Sequence, residues 1–335
     1  MAKIFNYDLF VDCGSPSLYN FLSRKRSTKN MGASFADRKY DDFSYTETEE
    51  YTKYREDYIS FLLKNKEKIS VYSNLDVINN AKKTYLNQKI LEEAGLSPIP
   101  VFHLGSDIKY LKKYLRKYPY IAIGGMIPNT TQALAPILDT LFKEYLLDDK
   151  GFPRVKLHGF ACTSPTLMCR YPWYSVDSTS CKRQAMYGGV VIPNHSDPFH
   201  PTSMTFSTRD LPIKNRYSPG IIRHLEKYLE KYNYTKEEAG DSLSKRWVLN
   251  IIYYINLIEK EVLPWPWSFY TKKSTGKRRK LNFYIAGAVA KKEEAVLWEG
   301  ISKIKTEQNI KKRLHSFFYK KEIETLINLK EKEIK

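Results

Sequence analysis

Short apolar runs that end on an acid, a histidine or a glycine pair, with helix-start chemistry or a helical spacing after them, recur along the first half of this chain. Few architectures accommodate that alternation. Residues 4–12, IFNYDLFVD, end on Asp12 and lead into Cys13-Gly14-Ser15-Pro16. KISVYSNLDVI, residues 68–78, carries Asp76, and IPVFHLG, residues 99–105, ends on His103 and Gly105. YIAIGG, residues 120–125, ends on Gly124 and Gly125. The run Leu157 to Ala161 holds His158, Ser164-Pro165 starts a helix, and the run from Tyr174 ends on Asp177. Between the runs, apolar spacing predicts helices over 47–66, 80–94, 108–117 and 131–145.

Strands and helices alternating in series call for a parallel α/β sheet. Polar groups at every strand end favour a TIM (β/α)8-type barrel, whose ligands sit at the carboxyl ends of its strands. A doubly wound open sheet would instead gather its contacts at one switch point. Residues 1–215 read as the main part of the barrel. Residues 216–335 read as a largely helical, basic extension, with LNFYIAG near 281–287 as a closing strand. Within this scheme 24–46 is a long loop, QAMYGGVVIP in 184–206 a strand or hairpin, and the chain finishes in Lys- and Glu-rich helices.

Charge narrows the partner. The 335-residue chain carries a formal charge of +18. Residues 242–335 alone hold 21 basic against 10 acidic side chains. Such an excess favours a polyanion. Within it, Trp265, Trp267, Phe269 and Tyr270 precede Lys272, Lys273, Lys277, Arg278, Arg279 and Lys280, a pairing of aromatics with cations suited to gripping a distorted nucleic-acid strand. Four cysteines without a CxxC pair signal neither a disulfide framework nor a zinc module. No apolar run approaches the ~18 residues that span a bilayer, which gives the expectation of a soluble, cytoplasmic protein.

The set LFVDCGS, VYSNLDVI, PVFHLGS, YIAIGGM and HGFACTSP with YPWYSVDSTS resembles the tRNA-guanine transglycosylase superfamily. It is closest to the DNA-guanine transglycosylases of phages and bacterial DNA-modification clusters, which install 7-deazaguanines. The resemblance covers about residues 5–180 and implies a TIM barrel. It also implies Asp177 as nucleophile and Asp12 as general acid and base. Asp76, His103, Gly124, Gly125 and His158 would then bind the base, with His103 standing where the tRNA enzymes carry a glutamine. The tRNA enzymes hold a zinc through CxCxxC and a histidine; no such spacing exists here, so neither zinc nor another cofactor is expected.

These residue types suit the chemistry without the resemblance. Base exchange at an anomeric carbon passes through an oxocarbenium-like state that a carboxylate can capture as a glycosyl ester. A second acid must carry a proton between the two bases. Each aspartate taken singly could instead cap a helix. The expected activity is replacement of guanine in DNA by a 7-deazaguanine, 7-cyano-7-deazaguanine being favoured. The alternatives are the same chemistry on tRNA, or a barrel that binds nucleic acid without catalysis.

Overall fold

The computed structural model describes residues 9–24, 43–127, 129–162, 164–194, 196–197, 199–206, 216–260, 264–267, 274–278, 281–286 and 314–318. The alternation expected from sequence is present. In chain order it runs β1 (Leu9–Val11), α1 (Ser15–Arg24), α2 (Glu49–Lys64), β2 (Val71–Tyr72), α3 (Ala81–Glu93), β3 (Val101–His103), α4 (Ile108–Lys117) and β4 (Tyr120–Gly124). It continues with α5 (Thr131–Leu141), β5 (Lys156–Gly159), α6 (Pro165–Arg170) and β6 (Ser175–Ser178).

Local chemistry sets these boundaries. Thr48, Asn80, Asp107 and Thr130 each accept a backbone N–H in the first turn of α2, α3, α4 and α5, satisfying donors that a helix start leaves open. Gly95, at φ +81°, ends α3 in the left-handed region. Because Asn80 caps α3, Asp76 is not needed there. Thr179 holds the cap position of α7 (Ser180–Met186), so Asp177 is not a cap either.

An antiparallel hairpin follows, β7 (Gly189–Ile192) and β8 (Thr202–Thr205), within the stretch expected to hold one. The helices α8 (Pro219–Lys231), α9 (Lys236–Asp241) and α10 (Leu243–Lys260) occupy the predicted helical segment. A second antiparallel pair, β9 (Pro264–Trp267) and β10 (Ser274–Arg278), precedes β11 (Asn282–Ala286) and β12 (Leu314–Phe318). Trp247, Val248 and Ile251 of α10 share one buried cluster with Leu157 and Val176, so residues on either side of 215 build a common core. Asn250, fully buried, ties α10 to the hairpin: its Oδ1 accepts Val191 N–H at 2.8 Å and its Nδ2 donates to the carbonyls of Cys181 and Gly189.

The main sheet is parallel throughout and has eight strands in the order β2-β1-β12-β11-β6-β5-β4-β3. Its first and last strands meet beyond their ends, where Ser73 bridges Ile99 in parallel. There Ile99 N–H donates to Tyr72 O at 2.9 Å and Asn74 N–H to Ile99 O at 3.0 Å. Strand β11 falls in the segment expected to hold a strand, and it lies inside the sheet between β6 and β12. Strand β12 corrects the expectation of an all-helical finish, since residues 314–318 pair with β11 on one side and β1 on the other. Two parallel ladders outweigh local helix preference in so short a segment.

Side chains alternate across the sheet as strand geometry requires. Leu9 and Val11 pack with the helices, alongside Leu62 and Leu75. Phe10 points the other way, into a separate cluster with Val101, Ala122 and Tyr284. No helix among the described residues is long and apolar enough to cross a membrane.

Candidate active site

Asp12, Asp76, His103, Gly124 and Asp177 all lie at or just beyond the carboxyl ends of strands, and three of them form one electrostatic unit. Asp12 follows β1 directly. Burial lifts its carboxyl to about 7, and the neighbouring charges of Asp76 and then Asp177 add to the shift, while backbone N–H groups of Gly14 and Cys13 pull the other way. A carboxyl so placed can hold a proton near neutrality and give it up, as a general acid and base requires.

Asp76 lies in the same cluster in the opposite condition. Burial raises its carboxyl, but hydrogen bonds from His103, Cys13 and Ser15, with the His103 charge, more than offset that and hold it below the usual range. His103 Nε2 stands 2.8 Å from Oδ2. The Cys13 thiol and the Ser15 hydroxyl reach Oδ1 at 2.9 and 2.7 Å. Ser73 ties Asp12 to the Cys13 backbone: its Oγ accepts Cys13 N–H at 3.2 Å and donates to Asp12 Oδ1 at 3.4 Å.

The glycine pair acts first on His103. A Cβ at Gly124 would come 2.8 Å from His103 Cδ2 and 3.3 Å from Nε2, so the missing side chain is the seat of the imidazole. Gly125, at φ +80°, is exposed beside Leu104. Gly124→Ala is expected to push the ring off Asp76 and cost about 1–3 kcal/mol of stability, the usual range for overpacking. Equilibrium urea unfolding reads this directly, and an unchanged midpoint would show that the ring yields without cost.

Asp177, on β6, is buried at 6% exposure. Its Oδ1 accepts the N–H of Ala161 at 2.8 Å. Ala161 sits at φ 52°, a left-handed conformation that an alanine adopts only at some cost, so the turn after β5 is bent to aim this donor. His158, grouped with the base-binding residues in the sequence reading, lies lower. It has no exposed surface, and its Nδ1 and Nε2 face Ser175 at 2.7 Å and Asp177 at 3.4 Å, so it addresses the carboxylate and not the open end of the site.

Asp12, Cys13 and Asp76 each offer one ligand atom, all within 4.8 Å of one another, a set with the makings of a metal site. Burial, with Asp76 and Asp12 beside it, pushes the Cys13 thiol well above its usual range, so it serves as a donor to Asp76 and not as a thiolate.

Ser15, Ser73, Cys13, Ala161 and Ser175 are not among the site residues expected from the sequence, although CGS after Asp12 and the small-residue stretch GFACTS before α6 mark three of their positions. Of the expected nucleic-acid contacts, Lys277 and Arg278 fall in β10, and Lys272, Lys273, Arg279 and Lys280 lie outside the described residues. In comparisons with known proteins, no family model, no curated protein and no solved structure matches this chain.

Proposed function

We propose that this chain is a base-exchange glycosyltransferase that replaces guanine in DNA by a 7-deazaguanine through an aspartyl-glycosyl ester, on a closed (β/α)8 barrel. The bridge between Ser73 and Ile99 supports closure, because it joins the two strands that end the sheet order. One observation carries the activity: three carboxylates share a site in unequal states, one poised to hold a proton, one held ionised by a histidine, and one pinned by a strained backbone donor. Pairs of acids driven apart in this way mark acid and base assignments.

The steps balance. A target nucleotide leaves the base stack and enters the site. As the bond from the anomeric carbon to guanine breaks, an Asp177 oxygen bonds that carbon and the Asp12 proton passes to the departing base. The incoming 7-deazaguanine presents ring and amino N–H groups to Asp76. Its ring nitrogen then attacks the anomeric carbon, Asp12 takes back a proton, and the ester opens to restore the Asp177 carboxylate. Nothing in this sequence consumes a nucleotide triphosphate. The formal charge of +18 suits a polyanionic substrate.

Incubation with labelled guanine and either duplex DNA or tRNA tests the reading. Label entering DNA is the expected result. Label entering tRNA alone moves the activity to tRNA, and retention of either polymer without label indicates a binding protein.

A further inference from the structure

Beneath the three acids, a line of polar groups crosses the otherwise apolar face of the sheet. Tyr120, the first residue of β4, places its hydroxyl 2.5 Å from Ser175 Oγ on β6. Ser175 Oγ lies 2.7 Å from His158 Nδ1 on β5, and His158 Nε2 lies 3.4 Å from Asp177 Oδ1. Aromatic rings enclose the imidazole: Phe10 stacks on it at 4.6 Å, Phe160 meets it edge-on at 4.6 Å and Tyr284 approaches at 6.0 Å. Its only polar outlets among the described residues are therefore Ser175 and Asp177. Nε2 is a buried atom without an aligned hydrogen bond, and the carboxylate is what it faces.

The direction of the line is set at its far end, where His158 Nε2 faces Asp177 Oδ1. Burial pushes the Tyr120 phenol well above its usual range, so it keeps its proton. Either hydroxyl of the Tyr120–Ser175 pair could donate; with Tyr120 as donor, its O–H points to Ser175 Oγ. The single serine proton then goes to His158 Nδ1, and a neutral imidazole must carry its own proton on Nε2, toward Asp177. The reverse order would turn the Nε2 lone pair onto a carboxylate oxygen inside an apolar enclosure, which is repulsive.

We infer that Tyr120, Ser175 and His158 form a one-way hydrogen-bond chain that holds an N–H donor against Asp177 Oδ1 and thereby selects Oδ2 as the attacking oxygen. Ala161 N–H also binds Oδ1, so both donors converge on one oxygen, and Oδ2 has no partner among the described residues. His158 is on this view a positioning residue. A long, poorly aligned contact leaves the carboxylate's charge little damped before attack. The same donor stands ready to receive that charge when the ester opens.

The use made of Oδ2 rests on the glycosyltransferase reading; the tautomer does not. Nitrogen-15 NMR of histidine-labelled protein at neutral pH, with His158 assigned by its loss in His158→Gln, should show an Nε2–H tautomer. An Nδ1–H tautomer or a doubly protonated ring overturns the chain whatever the protein's activity. In the kinetic arm, Ser175→Ala should slow formation of the covalent DNA complex about tenfold, the scale of one hydrogen bond to a charged group, with KM for DNA unchanged. Ser175→Thr, which keeps the hydroxyl, should restore the rate. A full rate in Ser175→Ala, or a Ser175→Thr variant that folds like the parent and stays slow, overturns the positioning role. A parent that forms no covalent complex would instead refute the proposed function and leave the NMR result to decide the chain.

Discussion

Asp177→Asn should leave the chain folded, bind DNA as the parent does, and form no covalent complex, with base exchange reduced by about ten-thousand-fold. The fold survives because an asparagine carbonyl can still accept the Ala161 N–H that Asp177 Oδ1 accepts at 2.8 Å. DNA affinity survives because a carboxylate makes no favourable contact with phosphate. What disappears is the carboxylate oxygen that the proposed reaction needs to form an ester with the sugar. A denaturing gel of the protein mixed with duplex DNA and 7-deazaguanine gives the readout: a shifted band for the parent and none for the variant. A shifted band in Asp177→Asn would assign the nucleophile elsewhere.

Asp12→Asn should have the larger effect on stability, and in the opposite sense. The Asp12 carboxyl titrates near 7 in the folded chain against 3.8 for an ordinary aspartate. The folded state therefore binds the proton more tightly than the unfolded one. That contribution is full below about pH 4 and is lost as pH rises through 7, a swing of roughly 4 kcal/mol. An asparagine has no such titration, so the variant should gain on the parent steadily across this window. Urea unfolding at pH 5 and pH 8 measures the difference. Equal gaps at both pH values would show that Asp12 is not held protonated. Under the proposed reaction, base exchange should be lost in the same variant, since stability gained at a catalytic acid is commonly set against activity.

How much of this could be read from sequence divides along one line. Where a signal is local, it was legible: apolar spacing over 80–94 and 108–117 finds α3 and α4, and Asp12, His103 and Gly124 sit at strand ends because the apolar runs stop there. Where a role depends on a partner far away in the chain, it was not. Ser15 meets Asp76 across 61 positions and Tyr120 meets Ser175 across 55, and neither residue stands out in its own neighbourhood. The resemblance assigns Gly124 to the base, but nothing in its own neighbourhood announces that the room left by its missing side chain seats the distant His103. Strand β12 was missed for a related reason: five residues in a Lys-rich stretch carry almost no period of their own, and their place is set by β1 and β11.

That last pairing has a consequence for how the molecule is made. Strand β1 leaves the ribosome long before residues 314–318, which form one of its two neighbours. Until those appear, a nascent chain must carry one flank of β1 and one flank of β11 as open templates, the kind of edge that recruits strands from other chains. Contacts of such long sequence separation also form slowly. Expression at lower temperature or slower synthesis, with a chaperone to shield the waiting edges, should therefore raise the soluble yield more than any change at the protein's surface.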